Sequence, residues 1–81
     1  MANSYTDGIH LMVGSDEPLD VLHTFAGRIG LKRQWFQDSI THPHYDMLTK
    51  NIRRKAYALG AIEIKDTKEI LRLCKRTAKS L

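Results

Sequence analysis

The sequence predicts an α/β domain in which three strands alternate with three helices, in the order βαβαβα, around a small, mainly parallel three-stranded sheet. A short apolar run at 9–13 is typical of a buried strand, and the segment 61–64 is also typical of a strand. Apolar residues at helical spacing follow these segments, and glycines stand where two of the predicted helices end. Such alternation favours a parallel sheet covered by helices.

The first strand is predicted at 9–13, and a turn at 14–18 leads into the first helix. Ser15 or Asp16 can cap the free amides at the start of that helix. Gly30 is suited to end it. The predicted buried face of this helix consists of Leu19, Leu22, Ala26 and Ile29.

The second half of the chain repeats this pattern. An extended segment at 31–37 contains Trp35 and Phe36, and Asp46 can cap a second helix that Gly60 ends. A third strand at 61–64 precedes a basic last helix at about 67–79. That helix opens with the capping-box pattern Asp66-Thr67-Lys68-Glu69, in which Asp66 is the cap. The buried faces of these two helices are predicted to be Leu48, Ile52, Ala56 and Leu59, then Ile70, Cys74, Ala78 and Leu81.

Length and composition indicate a single domain spanning 1–81. The apolar fraction of 42% excludes general disorder, and no apolar run approaches the ~20 residues of a membrane span. Without a basic start followed by an apolar run, we expect a cytoplasmic protein with no membrane partner. The lone Cys74 fits a reducing compartment and is expected to be buried. A core this small favours a homo-oligomer.

The net charge of +4 is unevenly distributed. Residues 1–49 contain three Lys or Arg and six Asp or Glu, whereas residues 50–81 contain ten and three. The second half therefore carries +7 and favours an anionic partner, either nucleic acid or a phosphorylated small molecule. Solubility is the alternative explanation. Glycine-rich phosphate loops, paired-cysteine zinc motifs and serine-nucleophile motifs are absent from the sequence.

The segment 41–46 is the densest group of functional side chains. In an extended chain, alternate residues share a face, so His42, His44 and Asp46 can project together. These three are weak candidates for a metal site, and His44 and Asp46 are candidate catalytic residues. The alternative is a helix cap with surface histidines. We expect no cofactor, and the sequence leaves enzymatic activity undecided.

Further candidates lie outside this segment. His10 falls in an apolar strand, and His23 lies beside the apolar face of the first helix. The two histidines either share a binding pocket or are core residues whose polar atoms are hydrogen-bonded. Trp35 follows two cations and can stack on a base. Lys50 and Arg54 belong to a basic face of the second helix that can contact phosphate, and the last helix has a similar face.

Several motifs occur in one order along the chain: His10-Leu11, Leu22-His23-x-Phe25-Ala26-x-Arg28-Ile29-Gly30-Leu31-x-Arg33-x-Trp35-Phe36-Gln37, His44-Tyr45-Asp46 and Arg54-x-Ala56-x-x-x-Gly60-Ala61. Over about 10–64, the chain resembles a small family of uncharacterised bacterial and phage proteins with a Trp-Phe-Gln and His-Tyr-Asp signature. The resemblance implies a polar binding site at the matching positions. The opening segment at 4–8 is shorter than in that family, so the resemblance does not assign a role to Asp7.

From the residues and the resemblance together, we expect a protein that binds a small phosphorylated molecule, a nucleotide. A phage counter-defence protein that sequesters a host signalling nucleotide is one form of this function. The alternatives are a phosphodiester hydrolase that uses the His/Asp cluster and a nucleic-acid-binding module that uses the basic helices. The expected ligand-binding residues are His10, His23, Arg28, Arg33, Trp35, Gln37, His44, Tyr45, Asp46, Lys50 and Arg54.

Overall fold

A hairpin near the start of the chain forms the centre of the sheet. The computed structural model describes residues 4–76. Strand β1 (Ser4–Thr6) pairs antiparallel with β2 (His10–Val13), and β2 pairs antiparallel with β3 (Tyr45–Asp46). Strand β4 (Ile62–Glu63) pairs parallel with β1, which gives the order β3-β2-β1-β4.

The predicted three-stranded, mainly parallel sheet is therefore wrong. The described part of the chain contains a four-stranded mixed sheet in which β1–β4 is the parallel pair. The error has two sources. Residues 4–6 form a strand that we did not predict, and the segment 31–37 contains a 3-10 turn (Arg33–Trp35) in place of a strand. Within that segment, Gln37 forms an isolated antiparallel bridge with His44.

Three helices occupy the predicted parts of the chain: α1 (Leu19–Arg28), α2 (Lys50–Ala58) and α3 (Thr67–Cys74). Gly30 and Gly60 have φ angles of +94° and +100°, which confirms the two glycine helix ends. The predicted Asp66 cap is also confirmed, because its carboxylate accepts a 3.0 Å hydrogen bond from the Lys68 amide.

Other predicted helix boundaries are wrong. Pro18 precedes α1 without any side-chain cap, so neither Ser15 nor Asp16 fills that role. Thr49, rather than Asp46, caps α2: its hydroxyl accepts a hydrogen bond from the Ile52 amide. Helix α3 ends at Cys74, short of the predicted 67–79, because Lys75 is already extended; Ala78 and Leu81 lie outside the described residues.

The two faces of the sheet carry separate apolar clusters because side chains alternate along each strand. Leu11 and Val13 face a main core that includes buried residues of α1 and α2. Met12 points the other way and packs with Ile70 and Cys74 of α3. The main core consists of Leu11, Val13, Leu22, Ala26, Ile29, Leu31, Tyr45, Met47 and Ala56.

The predicted buried face of α2 is only partly correct. Ala56 is fully buried and Ile52 packs against the main core, whereas Leu48 is 75% exposed and Leu59 is also exposed. Leu48 precedes the helix, which begins at Lys50, so the helical spacing does not apply to it. Among the described residues 4–76, no helix has the length and apolarity needed to cross a membrane.

Candidate functional site

The β1–β2 hairpin places a carboxylate against a histidine. Asp7 lies in the turn, where its Oδ1 accepts hydrogen bonds from the amides of Ile9 and His10 at 3.0 and 2.9 Å. Its Oδ2 lies 2.8 Å from His10 Nδ1. Burial raises the pKa of Asp7, but the hydrogen bonds from His10 and the two amides outweigh it and lower the pKa overall. Asp7 is therefore ionised and holds the His10 ring in place.

Strand β3 brings two further groups to the same side of the sheet. Asp46 pairs directly with His10 across the β2–β3 ladder, and His44 precedes Asp46 by two positions, so both project on the His10 face. The imidazole rings of His10 and His44 meet edge to face, with centroids 5.2 Å apart. One ligand atom from each of His10, His44 and Asp46 lies within 4.8 Å of the other two.

Hydrogen bonds define the orientation of both rings. His10 Nδ1 faces an ionised carboxylate, and His44 Nδ1 lies 2.8 Å from the carbonyl oxygen of His42. Since both partners are acceptors, each Nδ1 carries the hydrogen and donates. In the neutral rings, each Nε2 then presents a lone pair. Asp46 Oδ1 lies 3.8 Å from His10 Nε2 and 3.4 Å from His44 Nε2.

Among the described residues 4–76, the Asp46 Oδ1 atom has no hydrogen-bond partner. It is buried from solvent. A buried carboxylate oxygen without a donor is costly, and such atoms are uncommon in folded proteins. Two imidazole nitrogens and one carboxylate oxygen therefore converge as electron-pair donors. We call His10, His44 and Asp46 the histidine–aspartate cluster.

His42 does not join this cluster, contrary to the predicted grouping with His44 and Asp46. Its Nε2 lies 2.8 Å from the carbonyl oxygen of Leu71 in α3, and its Nδ1 lies 3.0 Å from Thr41 Oγ1. Nε2 must donate to the carbonyl, so Nδ1 accepts from the hydroxyl. The hydrogen bond from His42 to Leu71 connects the segment 41–46 to α3.

His23 and Tyr45 form a second group on the opposite face of the sheet. Tyr45 alternates with His44 and Asp46, is 1% exposed, and shares a 2.8 Å hydrogen bond between its hydroxyl and His23 Nδ1. Phe36 packs edge to face on His23, and the Arg33 guanidinium lies 5.1 Å from the Phe36 ring centre. The predicted site thus divides into two groups.

The environment of this second group favours the neutral form of His23. Burial lowers the pKa of His23, and the Arg33 charge lowers it further against the opposing effect of Asp20 and Asp38. Burial likewise raises the pKa of Tyr45, although Arg33 opposes that rise. A neutral imidazole hydrogen-bonded to a buried phenol is a satisfied core pair.

A cavity of about 410 Å³ lies beside the edge strand β3, between the 31–37 segment and the start of α2. Its lining is Leu31, Gln34, Trp35, Gln37, Asp46, Leu48, Thr49 and Ile52. Trp35, Gln37 and Asp46 belong to the predicted binding residues. Asp46 therefore contributes both to the cavity and to the histidine–aspartate cluster.

Comparison with known families adds one finding. Residues 5–77 match a family model described as a protein of unknown function (DUF4031). The chain belongs to the DUF4031 family. This confirms the predicted membership of a family without an assigned activity. No curated protein and no solved structure matches the chain.

The remaining predicted binding residues of this DUF4031 protein do not line the cavity. Arg28, Lys50 and Arg54 are exposed on α1 and α2. Lys50 is the first residue of α2, directly after the cavity residue Thr49. Lys32 Nζ lies 5.6 Å from the ring centre of Trp35.

We did not predict Asp7 as a residue of the candidate site. An available signal was the Asp7-Gly8 pair, which is typical of a hairpin turn. In a short hairpin loop, the carboxylate of an aspartate can accept a hydrogen bond from a histidine three residues later. We also missed Gln34, Leu48 and Thr49 as cavity residues, because their grouping depends on how α2 packs beside the 31–37 segment.

Proposed function

We propose that this protein binds a small phosphorylated ligand, a nucleotide, in the cavity beside β3. The supporting observation is that one cavity combines an exposed indole with the start of a helix. Trp35 is 44% exposed and Thr49 is the N-cap of α2, and both line it. A nucleotide carries an aromatic base and an anionic phosphate, which match these two features.

The cavity suits the base of such a ligand. Small-molecule sites commonly have volumes of roughly 300–1,000 Å³, and their walls are mostly apolar with a few polar groups. This cavity has about 410 Å³, with apolar side chains from Leu31, Leu48 and Ile52. The indole offers a stacking surface, and the amides of Gln34 and Gln37 can donate to and accept from the edge of a base.

The first turn of α2 suits the phosphate. Thr49 Oγ1 accepts from the Ile52 amide, and Thr49 O accepts from the Arg53 amide. The backbone amides of Lys50 and Asn51, the first two residues of α2, have no acceptor within the helix. No acidic residue stands in the first turn. An anion is stabilised there by the helix dipole and by the Lys50 ammonium.

Single-tryptophan fluorescence tests this proposal directly, since Trp35 is the only tryptophan in the sequence. Titration with adenosine, guanosine and cyclic nucleotides is expected to change the emission of Trp35 with saturation. Trp35→Ala should abolish ligand depletion in an ultrafiltration assay. Tyr57→Ala, which removes an exposed aromatic side chain outside the cavity, should leave depletion unchanged.

The ultrafiltration assay also distinguishes binding from turnover. Protein is incubated with linear and cyclic nucleotides and filtered, and the filtrate is chromatographed. A depleted peak that returns intact after heat denaturation indicates binding without turnover. This is the outcome expected for a protein that sequesters a signalling nucleotide, as in phage counter-defence within a bacterial cytoplasm. An unchanged filtrate for every nucleotide would refute the proposal.

Phosphodiester hydrolysis is the second candidate function. One observation favours it: Asp46 lines the cavity and also belongs to the histidine–aspartate cluster, so a bound phosphate ester and that cluster share a residue. A new product peak in the filtrate would indicate hydrolysis. His44→Ala should then abolish the product while leaving the nucleotide depleted. Loss of both would contradict a catalytic role for His44.

The nucleic-acid alternative has weaker support. The guanidinium of Arg53 donates to the Met47 carbonyl at 2.8 Å, and that of Arg76 donates to the carbonyls of Gly14 and Glu17 at 3.3 and 2.7 Å. Two of the basic side chains are therefore engaged inside the protein. The predicted homo-oligomer remains part of the proposal, supported by the exposed Leu48 and Ile40 side chains and testable by light scattering.

A further inference from the structure

We propose that His10, His44 and Asp46 form a binding site for a divalent first-row transition metal of the Zn²⁺, Fe²⁺ or Co²⁺ type. The ligand atoms are His10 Nε2, His44 Nε2 and Asp46 Oδ1. This site does not depend on the proposed nucleotide function, because its ligands and their supporting groups come from strands β2 and β3, the turn before β2 and the segment before β3.

The electron pairs of the three ligand atoms converge. Each imidazole donates from Nδ1 to an acceptor, so in the neutral ring each Nε2 has a free lone pair. Asp46 Oδ1 faces both Nε2 atoms and has neither solvent nor a hydrogen-bond donor. Three acceptors directed at one point repel each other, whereas a cation at that point satisfies all three.

The distances between the ligand atoms are longer than hydrogen bonds and close to those around a metal ion. Neutral hydrogen bonds of the N–H···O type span roughly 2.7–3.2 Å. The 3.4 and 3.8 Å separations between Asp46 Oδ1 and the two Nε2 atoms are longer. Around a metal with bond lengths of about 2.0–2.2 Å, neighbouring ligand atoms lie about 3.0–3.5 Å apart. Small side-chain rotations would bring this cluster to metal-binding distances.

Neighbouring hydrogen-bond acceptors orient both histidine ligands. A metal-bound histidine usually donates its other N–H to a carboxylate or a backbone carbonyl, which fixes its tautomer. Both arrangements occur here: Asp7 supports His10, and the His42 carbonyl oxygen supports His44. Backbone pairing of His10 with Asp46 holds two of the ligands in register. The site is therefore oriented by the strands and the hairpin turn.

The donor set identifies the class of metal. Two imidazoles and one carboxylate suit Zn²⁺, Fe²⁺ and Co²⁺, whereas Mg²⁺ and Ca²⁺ prefer all-oxygen sites. Three protein ligands leave at least one coordination position for water or a ligand atom. Because Asp46 also lines the cavity, the open position is adjacent to the proposed nucleotide site.

Metal titration without nucleotide tests this proposal. The tag-free protein, stripped with chelator, is titrated with Co²⁺ and followed by visible absorption, and with Zn²⁺ followed by calorimetry. We expect one equivalent of metal, a cobalt spectrum typical of nitrogen and oxygen ligands, and at least 100-fold weaker binding of Mg²⁺. His10→Gln, His44→Gln and Asp46→Asn should each weaken Zn²⁺ binding by more than tenfold.

One histidine variant serves as a matched control. His23→Gln lies on the other face of the sheet, so it should retain the cobalt spectrum. Thermal melting separates metal loss from misfolding. Metal-free Asp46→Asn should melt at or above the temperature of the metal-free parent, since an amide can donate to an Nε2 atom, but it should lose the metal-induced rise.

Two results would overturn the proposal. One is the absence of stoichiometric Co²⁺ or Zn²⁺ binding by the parent protein. The other is binding that persists in folded His10→Gln, His44→Gln and Asp46→Asn. Nucleotide depletion in the presence of chelator is measured separately, so failure of the metal site and failure of the nucleotide site give different results.

Discussion

Replacing Asp7 with asparagine tests how the hairpin turn controls the histidine–aspartate cluster. The asparagine side-chain oxygen can keep the hydrogen bonds from the Ile9 and His10 amides, so the turn should survive. The amide nitrogen, however, replaces the oxygen that lies 2.8 Å from His10 Nδ1. An N–H cannot accept from Nδ1–H, so the ring must change its tautomer and place its hydrogen on Nε2, the proposed metal ligand.

The magnitude follows from the interaction that is lost. The Asp7 side chain is 20% exposed, and a hydrogen bond to a charged group contributes about 1.5–3 kcal/mol. About 1.4 kcal/mol corresponds to a factor of ten in affinity. We therefore expect Asp7→Asn to weaken Zn²⁺ binding between about tenfold and a hundredfold, which agrees with the usual effect of removing a supporting group.

The assay is competition for Zn²⁺ against a chromophoric chelator, with the two variants Asp7→Asn and Asp20→Asn compared. Asp20 is an exposed aspartate on α1, so its amide variant makes the same change of charge away from the cluster. An Asp7→Asn affinity equal to that of the Asp20→Asn control would refute the tautomer argument. Circular dichroism of both variants checks that the fold is kept.

Three further predictions concern stability and reactivity. Burial and Arg33 lower the pKa of His23 in the folded protein. Below about pH 6.5, His23 is therefore protonated more readily in the unfolded chain than in the folded protein. The free energy of unfolding should fall as the pH falls through that value. Denaturation of His23→Gln from pH 5 to 7.5 should show a flatter profile, and an identical slope would contradict this. Cys74 is 1% exposed, and burial raises its pKa to about 11. Ellman's reagent at pH 8 should therefore react with Cys74 only as the protein unfolds. Reaction at the rate of free cysteine would contradict this prediction. Ile70 of α3 is fully buried and packs against Met12 of the sheet. Ile70→Ala should therefore lower the free energy of unfolding in urea by about 2–5 kcal/mol, and a loss below about 1 kcal/mol would disagree.

The sequence predicted helices better than the sheet. Helical spacing and glycine ends located α1 and α2, and the Asp66 cap located α3. Strand β1 escaped because three residues, Ser4–Thr6, are too few for alternation to be recognised. The segment 31–37 contains aromatic and cationic residues that resemble a strand, yet its middle forms a 3-10 turn that packs Phe36 against His23.

The candidate site was predicted residue by residue rather than as an arrangement. The alternation rule placed His44 and Asp46 together correctly, and the same rule places Tyr45 on the opposite face, which we did not apply. His42 is separated from His44 because the bridge with Gln37 begins only at His44. Contacts between distant segments, such as His42 with Leu71, depend on packing that no local pattern reveals.

The alternation of side chains in His44-Tyr45-Asp46 assigns neighbouring positions to different selective pressures. Tyr45 supports the main core, so its replacement affects whether the chain folds. His44 and Asp46 project from the other face, so their replacement affects what the folded protein can bind. Evolution could thus change the ligand chemistry of this edge strand one substitution at a time without rebuilding the core. A one-residue deletion within the strand, by contrast, would exchange the two roles and lose both.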